Sequence, residues 1–238
     1  MFLILILSFV CLGSGVPSSL FTPCKVTDIP CLENSINNAL PPIFDGIPEL
    51  EIESSDPQFN EYLEINVPDL NLKFFNSTIS GYKTCKLSNL RLQPNLTKAS
   101  FDWNCPELTA VGQYNMKGRL GTLPVEGNGD FKFVAGKFLV NIDCEVDKVK
   151  NDDGKTLASI KDFKFVAKPL TKVVYDFRNL FNGREDLAAG VHEYARNNWK
   201  SVAELVKDPI WDASLKKIFK NLNKFFETSP IEDTLIHS

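Results

Sequence analysis

The chain has 238 residues, 43% hydrophobic and 24% charged, which is enough apolar material for a substantial core and too much for intrinsic disorder. Its 26 Lys plus Arg against 30 Asp plus Glu leave a net charge of −4, so the clustered basic excess that displaces counterions from nucleic acid is missing and no nucleic-acid partner is expected. Only two histidines, His192 and His237, supply imidazole, and they stand far apart in the chain, which excludes an HExxH zinc site.

Residues 1–15 carry no charged side chain, and Phe2 to Leu12 is almost wholly apolar ahead of Gly13, Ser14 and Gly15. This pattern predicts a secretory signal peptide over 1–15, cleaved at roughly 15–19, and a single exported domain over 20–238. The apolar run is shorter than the roughly 20 residues a spanning helix needs. With Cys11 inside the signal, five cysteines remain: Cys24, Cys31, Cys85, Cys105 and Cys144. Cys24 and Cys31 lie seven apart around Pro30, and a local disulfide is expected there.

Leu32, Ile36, Ala39, Leu40 and Ile43 recur at helical spacing, with Pro41-Pro42 expected to kink or end the helix and Asp45-Gly46 and Pro48 to stop it. From Glu61 to about Phe177 the period changes to two. Leu63, Ile65 and Val67 alternate, and Leu70, Leu72 and Phe74 follow in the opposite phase, which suggests a bulge or bend at Pro68. Further alternating runs contain Phe101, Trp103 and Cys105; Tyr114, Met116, Gly118 and Leu120; Phe131 and Phe133; Phe138 through Val146; and Phe163, Phe165 and Ala167. The pattern is a long antiparallel meander with one apolar face. Cys85 and Cys105 flank the Pro94-Asn95-Leu96-Thr97 turn almost symmetrically, which leaves a second disulfide open. Cys144 is in phase with Val140, Ile142 and Val146 and reads as an inert core thiol. Two sequons, Asn76-Ser77-Thr78 and Asn95-Leu96-Thr97, are glycan acceptors in an exported chain, with Asn95 favoured by its place at the predicted hairpin tip.

In the last third, Leu187, Val191, Tyr194, Ala195, Val202, Leu205 and Val206 share one helical face, with Trp199 at its edge. After Asp208-Pro209 the stripe resumes as Leu215, Ile218, Phe219, Leu222, Phe225 and Phe226, opposite Lys216, Lys217, Lys220 and Lys224. A sheet with one apolar face and a long amphipathic helix bury each other best when the sheet wraps the helix. The fold class is therefore α+β.

No GxSxG, GxxxxGK[ST] or HExxH motif occurs, and Gly127-Asn128-Gly129 lacks the third glycine of a dinucleotide site, so no catalytic residue, metal or cofactor is expected. Asp152-Asp153 belongs to a polar turn. Gly112, Gly118, Gly127 and Gly129 fall on inward faces, where missing side-chain volume admits a crossing helix, strong curvature or a ligand. Asn198 lies near the middle of the apolar helical face, which predicts a desolvated amide that contacts a neighbouring element or a ligand.

Several phrases together resemble the insect takeout and juvenile hormone binding protein family over nearly the whole mature chain. They are the Cys24 and Cys31 pair, Ile47-Pro48-Glu49-Leu50, the Gly112-x-Tyr114 run ending in Gly118-x-Leu120, Leu123-Pro124 followed by Gly127-x-Gly129, Leu180-Phe181-Asn182-Gly183, Asn198-Trp199 and Ser229-Pro230. The resemblance implies a long curved antiparallel sheet wrapped around a C-terminal helix, related to one half of bactericidal permeability-increasing proteins. It also implies an internal tunnel for an elongated hydrophobic ligand, terpenoid or fatty-acid-like, and no catalysis. Takeout members with one N-terminal disulfide fit better than hormone carriers whose second bridge reaches the C-terminal half, which leaves juvenile hormone itself open as the ligand. The expected lining is Ile36, Leu40, Tyr114, Met116, Phe131, Phe133, Val140, Asn198, Trp199 and Leu222. A secreted monomeric carrier is the leading expectation. The alternative, drawn from the Lys216 to Lys224 face, is a secreted protein that binds lipid or membrane surfaces, with transient membrane contact.

Overall fold

The structure, a computed structural model, describes residues 20–236; the expected export signal, its cleavage region and His237 lie outside the described residues. The chain enters through a short strand β1 (Cys24–Lys25) and helix α1 (Ile29–Asp45). The Asp28 carboxylate accepts from the Cys31 N–H at 3.1 Å and Pro30 sits in the first turn, both favourable at a helix start. Of the kink or end expected at Pro41-Pro42, the end does not occur; α1 runs through both prolines to Gly46, whose N–H bonds the Ile43 carbonyl at φ 94°. Ile43 and Phe44 are 1% and 2% exposed, and burial worth about 1.5–3 kcal/mol for each offsets much of an interior proline's cost of about 3 kcal/mol.

Nine strands follow: β2 (Gln58–Val67), β3 (Leu70–Ser80), β4 (Lys86–Leu92), β5 (Lys98–Cys105), β6 (Leu108–Leu120), β7 (Leu123–Ala135), β8 (Phe138–Lys150), β9 (Thr156–Pro169) and β10 (Val173–Phe177). All pair antiparallel, in two sheets rather than one meander: a five-stranded sheet in the order β10-β7-β6-β3-β2 and a four-stranded sheet in the order β4-β5-β8-β9. Pro68 marks no bend inside a strand. Pro68-Asp69 is the β2–β3 hairpin turn, with Asp69 left-handed at φ 66°, and that reversal explains the change of phase.

The chain ends in α2 (Glu185–Asn197), α3 (Trp199–Phe226), α4 (Ile231–Thr234) and a strand β11 (Leu235–Ile236) that pairs parallel with β1. The helix breaks at Asn198 (φ −112°, ψ 27°), not at Pro209, which lies inside α3. Pro209 frees the carbonyl of Leu205, a residue exposed to solvent, where water can satisfy it. The two sheets wrap α3, whose Trp211, Leu215, Ile218, Phe219 and Phe225 are buried with Trp103, Phe138 and Val140 of β5 and β8. A second packed region joins Phe74, Tyr114, Phe131, Phe133 and Phe177 to Val191 and Ala195 of α2.

Candidate ligand-binding cavity

Five pieces of chain enclose an apolar cavity of about 280 Å³ at one end of the sheet wrap. α1 gives Leu32, Ile36 and Leu40; the β4–β5 hairpin gives Leu87, Leu90 and Phe101; β8 and β9 give Cys144, Val146 and Ile160. The end of α3 gives Leu222 and Phe226, and the closing segment gives Ile231 and Leu235. Polar side chains are few: Thr22, Ser35, Lys98, Ser229 and Thr234. The Ser35 hydroxyl already donates to the Thr22 carbonyl at 2.9 Å, so it is not left demanding a ligand partner.

Two disulfides brace the fold around these elements. Cys24 is bridged to Cys31, which pins the N-terminal arm to the first turn of α1, and Cys85 is bridged to Cys105, which ties the open ends of the β4–β5 hairpin. Cys144 is free and buried; desolvation, then the nearby Asp143 charge, pushes its thiol up to about 12, so it is protonated at neutral pH. The C-terminal segment closes over the cavity. Glu232 accepts from the Thr156 N–H at 2.9 Å and the Thr156 hydroxyl at 2.6 Å, Lys155 pairs with Asp233 at 2.9 Å, and β11 lies beside β1. The Thr156 hydroxyl bond, then backbone amides, hold the Glu232 carboxyl down to about 2.

Of the residues expected to line a ligand site, Ile36, Leu40 and Leu222 border this cavity. Tyr114, Met116, Phe131 and Phe133 lie in the second packed region, which borders small voids of about 30 and 20 Å³ and one of about 80 Å³ shared with the core around α3. The Tyr114 hydroxyl donates to the Arg178 carbonyl at 2.8 Å and is thereby satisfied within the fold. Val140 is fully buried and Trp199 half-buried against the core around α3. Asn198 corrects the expectation of a desolvated amide. It is exposed at the helix break, where its Nδ2 donates to the Tyr194 carbonyl at 3.0 Å, because the break rotates α3 relative to the continuous stripe assumed from sequence. The inward glycines are also filled by backbone rather than left open. A Cβ on Gly118 would stand 2.1 Å from the Asp69 carbonyl, on Gly129 2.6 Å from the Arg178 carbonyl, and on Gly127 2.9 Å from the Leu180 Cα. Leu87 and Leu90 escaped sequence reading because Asn89, left-handed at φ 54°, bulges β4 and breaks its two-residue period.

Nothing at the cavity resembles a nucleophile and base. His192 lies elsewhere, its Nε2 accepting from the Phe177 N–H at 3.3 Å. Among the described residues no cluster of three or more His, Cys, Asp or Glu could hold a metal, and no helix is long and apolar enough to cross a membrane. The lysines of α3 are largely engaged: Lys216 with Asp212 at 2.6 Å, Lys217 with the Phe59 carbonyl and Lys224 with the Glu51 carbonyl.

The sequence profile of the family "Haemolymph juvenile hormone binding protein (JHBP)" matches residues 2–236. The circadian clock-controlled protein daywake of Drosophila melanogaster is 25% identical over 233 residues, covering 93% of this chain and 88% of that protein. A juvenile hormone-binding protein of Manduca sexta is 34% identical over 77 residues, covering 31% of this chain and 34% of that protein. The crystal structure of Epiphyas postvittana Takeout 1 superposes with a TM-score of 0.87 at 23% identity, covering 90% of this chain and 99% of that one. With the profile spanning almost all of its length, the chain belongs to the haemolymph juvenile hormone binding protein family.

Proposed function

We propose that the protein is an exported, monomeric, non-catalytic carrier of a small elongated apolar molecule, terpenoid or fatty-acid-like, held in the cavity under α1 and the C-terminal segment. The observation that carries this reading is the 280 Å³ cavity itself, walled by aliphatic and aromatic side chains in a fold large enough to fill its core elsewhere. The uncharged apolar stretch over 1–15 and two disulfides support export through an oxidising compartment. A ligand that buries about 400 Å² of apolar surface gains on the order of 10 kcal/mol. Association costs about 4–15 kcal/mol, so useful affinity depends on a cavity that is already formed.

Juvenile hormone belongs among the candidate ligands as one terpenoid of suitable character, and competition against a fluorescent fatty acid ranks it with the others. Native mass spectrometry of protein from its own source reads what it carries. Ile36→Trp and Leu40→Trp, which project bulk into the cavity, are expected to weaken probe binding at least tenfold, about 1.4 kcal/mol, while leaving the fold intact. Folded protein that emerges empty and takes up no apolar probe refutes the carrier reading.

A further inference from the structure

The outer face of the five-stranded sheet carries two strongly exposed aromatic side chains, Phe59 (53% exposed) and Tyr62 (50%), both on the edge strand β2. Phe59 lies between buried Gln58 and Asn60 and therefore points outward. The Tyr62 ring packs on Phe75 of β3 at 5.4 Å between centroids. Register places Tyr62 opposite Phe75 and Phe59 opposite Thr78, with half-exposed Val111 of β6 beyond Thr78. Asn76 sits between these two rows. There β3 bulges: its pairing with β6 skips from Phe75 to Thr78, and Asn76 takes a left-handed φ of 45°. Asn76 is exposed, and among the described residues no partner holds its side-chain amide. The acceptor sequon Asn76-Ser77-Thr78 thus stands between the Tyr62–Phe75 pair and Phe59, across from exposed Glu61.

We propose that Asn76 carries an N-linked glycan whose first sugars lie over Phe59, Tyr62 and Phe75 and cover this face of the sheet. The bulge turns the asparagine out of the ladder, and asparagine tolerates the left-handed backbone the bulge requires. Transfer joins Asn76 Nδ2 to the anomeric carbon of a lipid-linked oligosaccharide; the lipid pyrophosphate leaves with the electron pair of the broken C–O bond, and one amide proton is lost. The apolar C–H face of a pyranose, slightly positive, fits the negative face of an aromatic ring. Uncovered, the same rings on an edge strand are a site for edge-to-edge association. Asn95 differs: it stands at the tip of the β4–β5 hairpin in the other sheet, with its Oδ1 accepting from the Thr97 hydroxyl at 2.8 Å.

The inference rests on the export reading, so the test supplies a heterologous export signal in insect cells, and its outcome is independent of whether residues 1–15 direct export or which ligand is carried. Peptide mass mapping reads Asn76 occupancy, and hydroxyl-radical footprinting of dilute protein reads Phe59 and Tyr62. Thr78→Val removes the acceptor signal while keeping Asn76 in its bulge; Asn95→Gln is the control. The expected result is a glycan on Asn76 and a severalfold rise in oxidation of Phe59 and Tyr62 in Thr78→Val, with none in Asn95→Gln. Enzymatic removal of the glycan from folded wild type gives the same rise without a mutation. An exported, folded protein with bare Asn76, or a glycan whose loss leaves the two rings equally reactive, overturns the proposal. A glycosylated wild type that dimerises through this face overturns it as well.

Discussion

Gly118→Ala separates a glycine that makes room for a ligand from one that makes room for the chain. Gly118 lies on β6 opposite Leu70 with φ 141°, and a Cβ there would stand 2.1 Å from the Asp69 carbonyl oxygen and 2.9 Å from the Leu70 Cα. Ordinary contact begins near 3.4 Å, so the Pro68-Asp69 turn must retreat by more than 1 Å. That movement pulls the Asp69 carbonyl away from the Arg119 N–H, which it accepts at 2.7 Å. A non-glycine residue in this backbone region costs about 1–3 kcal/mol. The weakened hydrogen bond adds about 1 kcal/mol, for a total of about 2–4 kcal/mol. At about 2–4 °C per kcal/mol for a domain of this size, the melting temperature should fall by roughly 4–16 °C. Thermal unfolding followed by circular dichroism measures that, and a fluorescent fatty-acid titration well below the transition measures the site. Because Gly118 does not border the 280 Å³ cavity, probe affinity should be unchanged. An unchanged melting temperature with weakened binding would show that the space at Gly118 belongs to the ligand, and the reasoning would fail.

Two further outcomes follow from the cavity wall and its closing segment. Cys144, buried and with its thiol pushed up to about 12, should resist a thiol-directed alkylating reagent at pH 7.5 until the protein is unfolded, and intact mass after labelling reads this; a stoichiometric adduct on the native protein contradicts it. Glu232, held down to about 2 from an ordinary 4.5, contributes anchoring that is fully present above pH 4.5 and is lost as pH falls through about 2. Hydrogen exchange of residues 231–236 should therefore accelerate across that window in wild type, after correction for the intrinsic rate, and already be fast at pH 6 in Glu232→Gln. Equal exchange in the two proteins would mean that β11 alone holds the segment.

Sequence patterning located the helices, most strands and the Cys24–Cys31 disulfide because each depends on local periodicity or on Cys spacing, while the Cys85–Cys105 bridge it left open is set by the pairing of β4 with β5. What it missed was set by contacts between distant segments. Pro41-Pro42 was expected to kink or end α1, yet burial of Ile43 and Phe44 carries the helix onward. Asn198 looked buried because the stripe from Leu187 to Leu205 was projected on one straight helix, and the break at that residue turns the faces apart. The lining split the same way. Ile36, Leu40 and Leu222 sit on helices whose phase was legible, whereas Leu87 and Leu90 lie on a bulged strand with no clean period. Tyr114, Phe131 and Phe133 face inward as their alternation required, but facing inward does not distinguish a cavity wall from solid packing.

That distinction also bears on which molecules can be carried. In the region near α2, Phe74, Phe131, Phe133 and Phe177 approach one another with ring centroids 4.6–5.7 Å apart, and they border voids of about 30 and 20 Å³, with one of about 80 Å³ between Phe133 and the Tyr82, Phe138 and Trp211 rings. A second aromatic group lies in the core around α3, with Trp103 stacked on Tyr82 at 5.7 Å and edge-on to Trp211 at 6.2 Å, and none of these three rings borders the cavity. The rings that a molecule held in the cavity meets are Phe21, Phe101 and Phe226, and its length is bounded by displacing them. The cavity, at about 280 Å³, lies just below the 300–1,000 Å³ typical of drug-sized ligand sites. With so few polar groups on the wall, discrimination among apolar molecules must come from the steric cost of moving Phe101 and its neighbours on that wall. Each extra methylene that fits gains only about 0.8 kcal/mol, and overpacking a core costs about 1–3 kcal/mol. Affinity in a homologous series should accordingly rise with chain length and then fall once the chain reaches the rings.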